Sequence, residues 1–197
     1  MIAVQNILDL QKTNVINWHI TLKETMDDLP WKFIEENNKW NFSLWHEEDI
    51  ARIKDIDPLR IVEAKRNIDK FNQARNNAME KIDEWILSYL QFNNITSEGQ
   101  MHTETPGMII DRLSIMALKR FHMNEEVLRV DASEDHKNQC IKKVALLDEQ
   151  IADLSNSLNL LFQKLEAGEI RFKVYRQLKM YNDPSLNPEL YKRNQKN

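Results

Sequence analysis

The chain has 197 residues, a formal net charge of −4 and a single cysteine, Cys140. This length suffices for one well-buried domain, and the charge gives no global attraction to nucleic acid or to anionic lipid. One cysteine excludes an internal disulfide and fits a reducing compartment. With three Gly and five Pro, the composition favours helices over a turn-rich β fold.

The chain shows no apolar stretch near the ~18 residues of a membrane span, and its start lacks the basic region of a signal peptide. We therefore expect a cytoplasmic all-α protein. Its single domain is predicted to be a bundle of about five long helices with a short basic C-terminal extension. Residues 1–30 form the N-terminal helical segment, 31–168 the core bundle and 169–197 the extension.

Apolar residues at three- and four-residue steps predict where the helices lie. The first helix is predicted to end before residue 30, and the second to run from about residue 31 to about 54. The third, fourth and fifth helices are predicted at 58 to about 92, 106 to about 129 and 134 to about 167. Thr105 before Pro106, and Ser133, are predicted N-caps, and Gly168 a C-terminal stop. Residues 93–104 are predicted to form a loop, and Asn187-Pro188 a turn.

The third helix has an unusual seam that is apolar at both ends and polar in the middle. The seam runs Ile61, Lys65, Ile68, Asn72, Arg75, Met79, Ile82, Ile86, Tyr89. Burying charge costs several kcal/mol unless the charge is paired and hydrogen-bonded, so the interruption suggests a polar chamber inside the bundle. A second, wholly polar stripe follows the same helix, formed by Arg66, Asp69, Gln73, Asn76, Glu80 and Asp83.

The second helix carries the densest group of chemically active side chains, from Trp45 through His46, Glu47, Glu48 and Asp49 to Arg52. Consecutive acids are costly to hold together unless some of them face water, a cation or basic groups. An exposed acidic turn with a local Glu48–Arg52 ion pair explains the same run equally well.

The fourth helix is apolar on almost every face, which indicates packing on several sides. Little of this helix is therefore expected to face solvent, where its polar residues could lie. These residues are Asp111, Ser114, Lys119 and His122. The structural alternative is a core network in which Asp111 and Arg112 pair with Arg75 or Glu80 of the third helix. A lone histidine on such a face more often makes a structural hydrogen bond than binds a ligand.

The fifth helix differs, because its apolar seam from Cys140 to Leu165 has no polar break and indicates a scaffold. Beyond it, Arg171, Lys173, Arg176 and Lys179 alternate with aromatic residues. Basic and aromatic groups together suit a phosphate that carries a base or a sugar. Packing of this basic stretch over the acidic helices is the alternative.

Four segments resemble the bacterial DUF4254 family (domain of unknown function): residues 41–52, 65–76, 103–119 and 175–184. The similarity extends over about residues 41–188. It implies a helical, soluble bacterial protein that is often encountered beside genes for glycosyltransferases and cell-surface polysaccharides. It carries over no activity and no catalytic residue.

These observations lead to one functional prediction, a polar interior site that binds or processes a nucleotide, sugar nucleotide or sugar phosphate. The candidate catalytic residues are His46, Glu48, Asp49 and Asp111. The candidate ligand-binding residues are Arg52, Lys65, Asn72, Arg75, Asn76, Thr105, Arg112, Lys119, Arg176 and Lys179. Asp49, Glu80 and Asp83 are the candidate ligands of a divalent cation, Mg²⁺ or Mn²⁺.

Two other interpretations stay open. In one, the same polar network only sets the bundle geometry, and the protein is a non-catalytic interaction or assembly module, for example a partner of envelope-glycan enzymes. Binding of nucleic acid through the basic extension is the weakest interpretation, because the net charge is negative and the basic run is short.

Overall fold

The structure is a computed structural model that describes residues 1–96, 98–178 and 183–194. Its helices are α1 (Val4–Trp18), α2 (Trp31–Ile50), α3 (Pro58–Phe92), α4 (Pro106–Leu128), α5 (Glu134–Glu166) and α6 (Pro188–Asn194). Two short strands, β1 (Gln100–Met101) and β2 (Ile170–Arg171), pair in parallel. The all-α class is confirmed, and α1 to α5 are the five helices expected from the sequence.

Local capping explains where the helices begin. Asp57 precedes Pro58 and accepts a hydrogen bond from the backbone N–H of Leu59 at 2.9 Å. The two predicted N-caps are confirmed, since the hydroxyls of Thr105 and Ser133 accept backbone hydrogen bonds at 3.2 Å each. These bonds satisfy N–H groups that have no partner inside the helix.

Four boundaries differ from expectation. The N-terminal helix predicted for residues 1–30 ends at Trp18, and the chain after it is held in a non-helical course by hydrogen bonds from the backbone N–H groups of Thr25 and Met26 to Glu35. α2 ends at Ile50, about one turn earlier than predicted, and the guanidinium of Arg52 donates to the carbonyl oxygen of Glu48 at 2.5 Å near this end. The predicted loop at 93–104 contains β1. Pro188 begins α6 instead of lying in a turn, because proline is well suited to the first helical position.

The main core lies between α1, α3, α4 and α5. Ile7, Ile82, Ile110 and Leu158 are completely buried there, one from each helix. The predicted seam of α5 is buried at most of its positions from Cys140 to Leu165. The long fifth helix therefore serves as the scaffold against which α4 packs.

The polar interruption on α3 is narrower than the sequence suggests. Lys65 is exposed, and its ammonium group lies 2.9 Å from the carboxylate of Asp69, so this lysine does not face the core. Asn72 and Arg75 are half-buried, and Asn76 is buried. Beyond them the seam is apolar, with Met79, Ile82 and Ile86 in the interior.

Among the residues that the structure describes, none of the helices is both long enough and apolar enough to cross a bilayer.

Candidate functional site

A buried polar network joins α2 to α4. The amide groups of Asn37 and Asn41 donate to the Asp111 carboxylate oxygen Oδ1 at 2.8 and 2.9 Å. The amides of Asn38 and Asn41 donate to the Ser114 hydroxyl at 2.9 and 3.1 Å. All of these residues are buried, so the bonds satisfy groups that have little contact with water.

The asparagines of α2 were not selected by the sequence reasoning, although a signal was present. Asn37, Asn38 and Asn41 lie in a helix interior, where asparagine is disfavoured because its amide competes with the backbone for hydrogen bonds. Three asparagines within five positions therefore indicate a demand for buried donors. The network leaves Oδ1 of Asn38 without a hydrogen-bond partner among the described residues.

Arg75 brings the positive charge of α3 to this network. Its Nε atom lies 3.7 Å from Oδ1 of Asp111, which is the core pairing considered for this carboxylate. The same Nε is buried and has no hydrogen-bond partner within the described part of the chain. The guanidinium is thus held near a carboxylate with hydrogen-bonding capacity left over.

A groove of about 310 Å³ opens beside Arg75, between α2, α3 and α4. We call it the interhelical groove, and its lining residues are Asn41, Leu44, Trp45, Glu48, Asp49, Arg52, Asn72, Arg75, Ile115 and Leu118. Its volume lies at the lower end of the range of small-molecule sites, roughly 300–1,000 Å³. Five of the predicted site residues therefore meet on one concave surface, and Asp111 lies behind Arg75.

Charges of both signs line the rim of the interhelical groove. The guanidinium of Arg52 lies 2.7 Å from the Glu48 carboxylate, so the predicted local ion pair is formed. Asp49 is exposed. Glu47 turns away and contacts Arg60 and Asn67 of α3 at 3.2 and 2.9 Å. The acidic run thus divides between the groove and the α2–α3 contact.

Asp83 and Thr105 lie outside the groove, at the start of α4. The Thr105 hydroxyl donates to Oδ2 of Asp83 at 2.5 Å, and the backbone N–H of Gly107 donates to Oδ1 at 2.7 Å. Burial raises the pKa of Asp83 to about 6, although these two hydrogen bonds lower it in part. The pair works as a cap on the helix and not as part of a ligand site.

The three predicted cation ligands are not brought together, which corrects the expectation from spacing. Lys81 contacts Glu36 at 3.0 Å, so Glu80 lies level with the start of α2. Asp49 is near the other end of α2, about 20 Å further along the helix axis. Asp83 accepts hydrogen bonds at the start of α4. The carboxylates of Asp49, Glu80 and Asp83 are therefore too far apart to bind a single cation.

Arg112, Lys119 and Arg176 lie elsewhere on the surface. Arg112 is exposed and pairs with Glu104, and Lys119 is exposed. Arg176 lies 3.0 Å from the Glu80 carboxylate and also contacts Glu84, so this part of the extension packs on α3 and not on the acidic run of α2. Lys179 lies outside the described residues.

His46 faces away from the interhelical groove, toward α1 and α4. Its ring centroid lies 5.2 Å from that of His19 and 5.7 Å from that of His122. Burial, and the imidazoles of His19 and His122, lower the pKa of His46, while Asp49 and Glu125 raise it in part. His19, just beyond α1, did not figure in the sequence prediction.

The model of a protein family described as "Protein of unknown function (DUF4254)" matches residues 31–174. This span includes α2 to α5 and therefore all residues of the interhelical groove. No curated protein and no solved structure matches the chain.

Proposed function

The chain belongs to the DUF4254 family, and because the family description names no activity, we propose a function from the geometry of the interhelical groove. The groove binds a phosphorylated small molecule, of the class of nucleotides, sugar nucleotides or sugar phosphates. One observation carries the proposal, which is the half-buried guanidinium of Arg75 at the groove wall.

Arg75 suits an anion better than it suits its present neighbour. Its Nε is 3.7 Å from Asp111, beyond ordinary hydrogen-bond length, and has no hydrogen-bond acceptor within the described part of the chain. Asp111 already accepts two asparagine amide bonds, so it is satisfied without Arg75. Although Nε itself is buried, the Arg75 side chain is 27 % exposed, so a phosphate in the groove would be held by the remaining N–H groups of the guanidinium.

The other walls suit the uncharged part of such a ligand. Trp45, Ile115 and Leu118 give an apolar surface on which a base or a sugar face can pack. Asn72 lines the same groove and offers an amide group for polar substituents, whereas the Asn41 amide N–H groups are already engaged by Asp111 and Ser114. The groove therefore combines an apolar wall with polar and charged side chains, as a ligand with a charged group and a ring requires.

A divalent cation is better placed at the rim of the interhelical groove than at the predicted ligands Glu80 and Asp83. Glu48 and Asp49 both line the interhelical groove, and Asp49 is exposed. Mg²⁺ is commonly bound through one or two carboxylates together with the oxygens of a substrate phosphate. We therefore assign Mg²⁺ or Mn²⁺ binding to these two carboxylates in the presence of the ligand.

The test is a thermal-shift screen followed by calorimetry on the purified full-length chain. The probes are UMP, UDP, UDP-glucose and glucose 1-phosphate, each with and without Mg²⁺. A ligand that binds only the native state raises the melting temperature. At a concentration of 100 times its Kd, it increases the free energy of unfolding by about 2.7 kcal/mol. Release of inorganic phosphate or of nucleoside monophosphate in the same samples would identify turnover.

Arg75→Met is the decisive variant, and Arg112→Met is its matched control. Both replace an arginine with an apolar side chain of similar length, but Arg112 is exposed outside the groove and pairs with Glu104. We expect Arg75→Met to weaken binding at least about tenfold, the equivalent of one lost charged hydrogen bond. Equal affinities of the wild type and Arg75→Met would show that the interhelical groove is not the binding site.

A non-catalytic interaction module is the second candidate, and one observation favours it. The carboxylate of Asp111 is satisfied by Asn37 and Asn41 alone, so the network can stabilise the bundle without any ligand. In that case no probe shifts the melting temperature. From the family resemblance we also propose a bacterial source, a cytoplasmic location and a partner among the enzymes of cell-surface glycan synthesis. Capture of such an enzyme by the purified chain would test the proposed partner.

A further inference from the structure

Three histidines from separate parts of the chain converge on the side of α2 opposite the interhelical groove. We call His19, His46 and His122 the imidazole cluster, and they come from the end of α1, from α2 and from α4. One imidazole nitrogen of each lies within 4.8 Å of the corresponding nitrogens of the other two. This convergence joins residues separated by more than one hundred positions in sequence, which no local spacing could produce.

The hydrogen bonds of two members leave the same ring nitrogen available. Nδ1 of His19 lies 2.6 Å from the carbonyl oxygen of Val15, and Nδ1 of His122 lies 2.7 Å from the Glu125 carboxylate. A carbonyl and a carboxylate accept hydrogen bonds, so Nδ1 carries the proton in both rings. In the neutral ring Nε2 then carries the lone pair, and this is the form in which imidazole ligates a metal.

The available nitrogens are not satisfied by the protein. Nε2 of His122 and Nε2 of His46 are buried and have no hydrogen-bond partner in the part of the chain that the structure describes. A buried polar atom without a hydrogen-bond partner destabilises the folded protein. Packing of rings alone would leave that cost uncompensated, whereas a bound cation would remove it.

The surroundings match those of a metal site. The ring of Phe121 stacks on His19 at 4.2 Å, Trp45 stacks on His122 at 4.8 Å, and Phe42 packs against His46 at 4.5 Å. An apolar shell limits water and strengthens the interaction of a cation with its ligands. Glu125 on Nδ1 of His122 reproduces the carboxylate–histidine pairing that orients a metal-bound imidazole.

We propose that the imidazole cluster binds one divalent transition-metal ion of the zinc, nickel and copper group, through one nitrogen each of His19, His46 and His122. Imidazole nitrogens are preferred ligands of these ions and poor ligands of Mg²⁺. A tetrahedral zinc with ~2.0–2.1 Å bonds needs nitrogens roughly 3.4 Å apart, so the three rings move closer on binding. Three protein ligands leave the fourth position to water or to a small molecule.

The site is separate from the interhelical groove, so the two proposals can fail independently. His46 lies on one side of α2, and Arg75 lines the groove on the other. Trp45 touches both, since it lines the groove and stacks on His122. Arg75→Met should leave metal binding unchanged, and His19→Gln should leave the groove intact.

The experiment is titration of the metal-stripped full-length chain, made without a histidine tag, with Zn²⁺ in a calorimeter. The visible spectrum of Co²⁺ as a substitute ion reports coordination by nitrogen in a tetrahedral site. We expect one Zn²⁺ per chain, and an affinity at least about 100-fold lower in His19→Gln. His19 is exposed at the end of a helix, so its replacement leaves the core intact.

His102→Gln is the matched control, because this histidine lies next to β1 and bonds the backbone oxygen of Glu104 at 2.7 Å. Its Zn²⁺ affinity should equal that of the wild type. His46→Gln should lose binding as His19→Gln does, with circular dichroism to confirm the helices. Absence of Zn²⁺ binding by the wild type, or equal affinities in wild type and His19→Gln, would overturn the proposal.

Discussion

The side-chain amide of Asn37 lies 2.8 Å from the carboxylate oxygen Oδ1 of Asp111, and this buried hydrogen bond ties α2 to α4. The two residues are 74 positions apart in the chain. Their contact forms only when the two helices are rotated so that the asparagine side of α2 faces Asp111. The same rotation places Trp45 and Glu48 of α2 at the interhelical groove.

Asn37→Ala should destabilise the protein by about 1–3 kcal/mol, because the buried Asp111 then loses one of its two amide donors. Urea denaturation of the wild type, Asn37→Ala, Asp111→Ala and the double variant would give the coupling energy. Asn77→Ala, on the exposed face of α3, is the control and should change stability by less than about 0.5 kcal/mol. A coupling energy near zero would contradict the assignment of a stabilising bond.

Asp83 should make the stability fall as the pH rises. Its pKa in the folded protein is raised from 3.8 to about 6 by burial, so between these values the folded chain holds a proton that the unfolded chain has released. The free energy of unfolding therefore decreases through this window, by up to about 3 kcal/mol for a pKa that differs by about two between the folded and unfolded chain.

Asp83→Asn removes that titration and keeps an acceptor for the N–H of Gly107. Relative to the wild type, the variant should become more stable as the pH rises from about 4 to about 6, and the difference should stay constant above pH 6. Urea denaturation across this pH range measures the difference. Asp69→Asn, exposed on the same helix, is the control and should follow the wild type. A constant difference between Asp83→Asn and wild type at all pH values would refute the raised pKa.

Gly107→Ala should destabilise the protein even though alanine is the better helix former by about 1 kcal/mol. An added Cβ would lie 2.6 Å from the carbonyl oxygen of Met79 and 2.8 Å from the Asp83 carboxylate. The start of α4 would have to move away from α3, at a cost of about 1–3 kcal/mol. Thermal denaturation measures the change, with exposed Asn124→Ala as the control on α4; equal stability of Gly107→Ala and wild type would show that the helices can separate freely.

Glu35 should hold the segment between α1 and α2 in place. Its buried carboxylate accepts hydrogen bonds from the backbone N–H groups of Thr25 and Met26 at 2.9 and 2.7 Å. In Glu35→Ala these two amides should exchange with deuterium much faster, and the protein should lose about 1.5–3 kcal/mol of stability. Glu36→Ala, which removes only the surface pair with Lys81, should leave their protection unchanged; fast exchange in the wild type would contradict this role.

The polar site was predicted in part because of the composition of α3. Asn72 and Arg75 interrupt an apolar seam, and the structure places both at the interhelical groove. Lys65 belongs to the same pattern but is exposed, since a long lysine can turn to solvent at small cost. The asparagines of α2 and His19 were missed because their roles depend on partners far away in the chain.

The sequence by itself determined the five long helices, the caps at Thr105 and Ser133, and the apolar seam of α5. These features follow from residue spacing and from hydrogen bonds within a few positions, which any chain with this order must form. Only the tertiary structure decided that Asn37 meets Asp111, that Asp83 caps α4 and that three histidines converge. Such contacts depend on how each helix is rotated and packed, and that is set by the whole core at once.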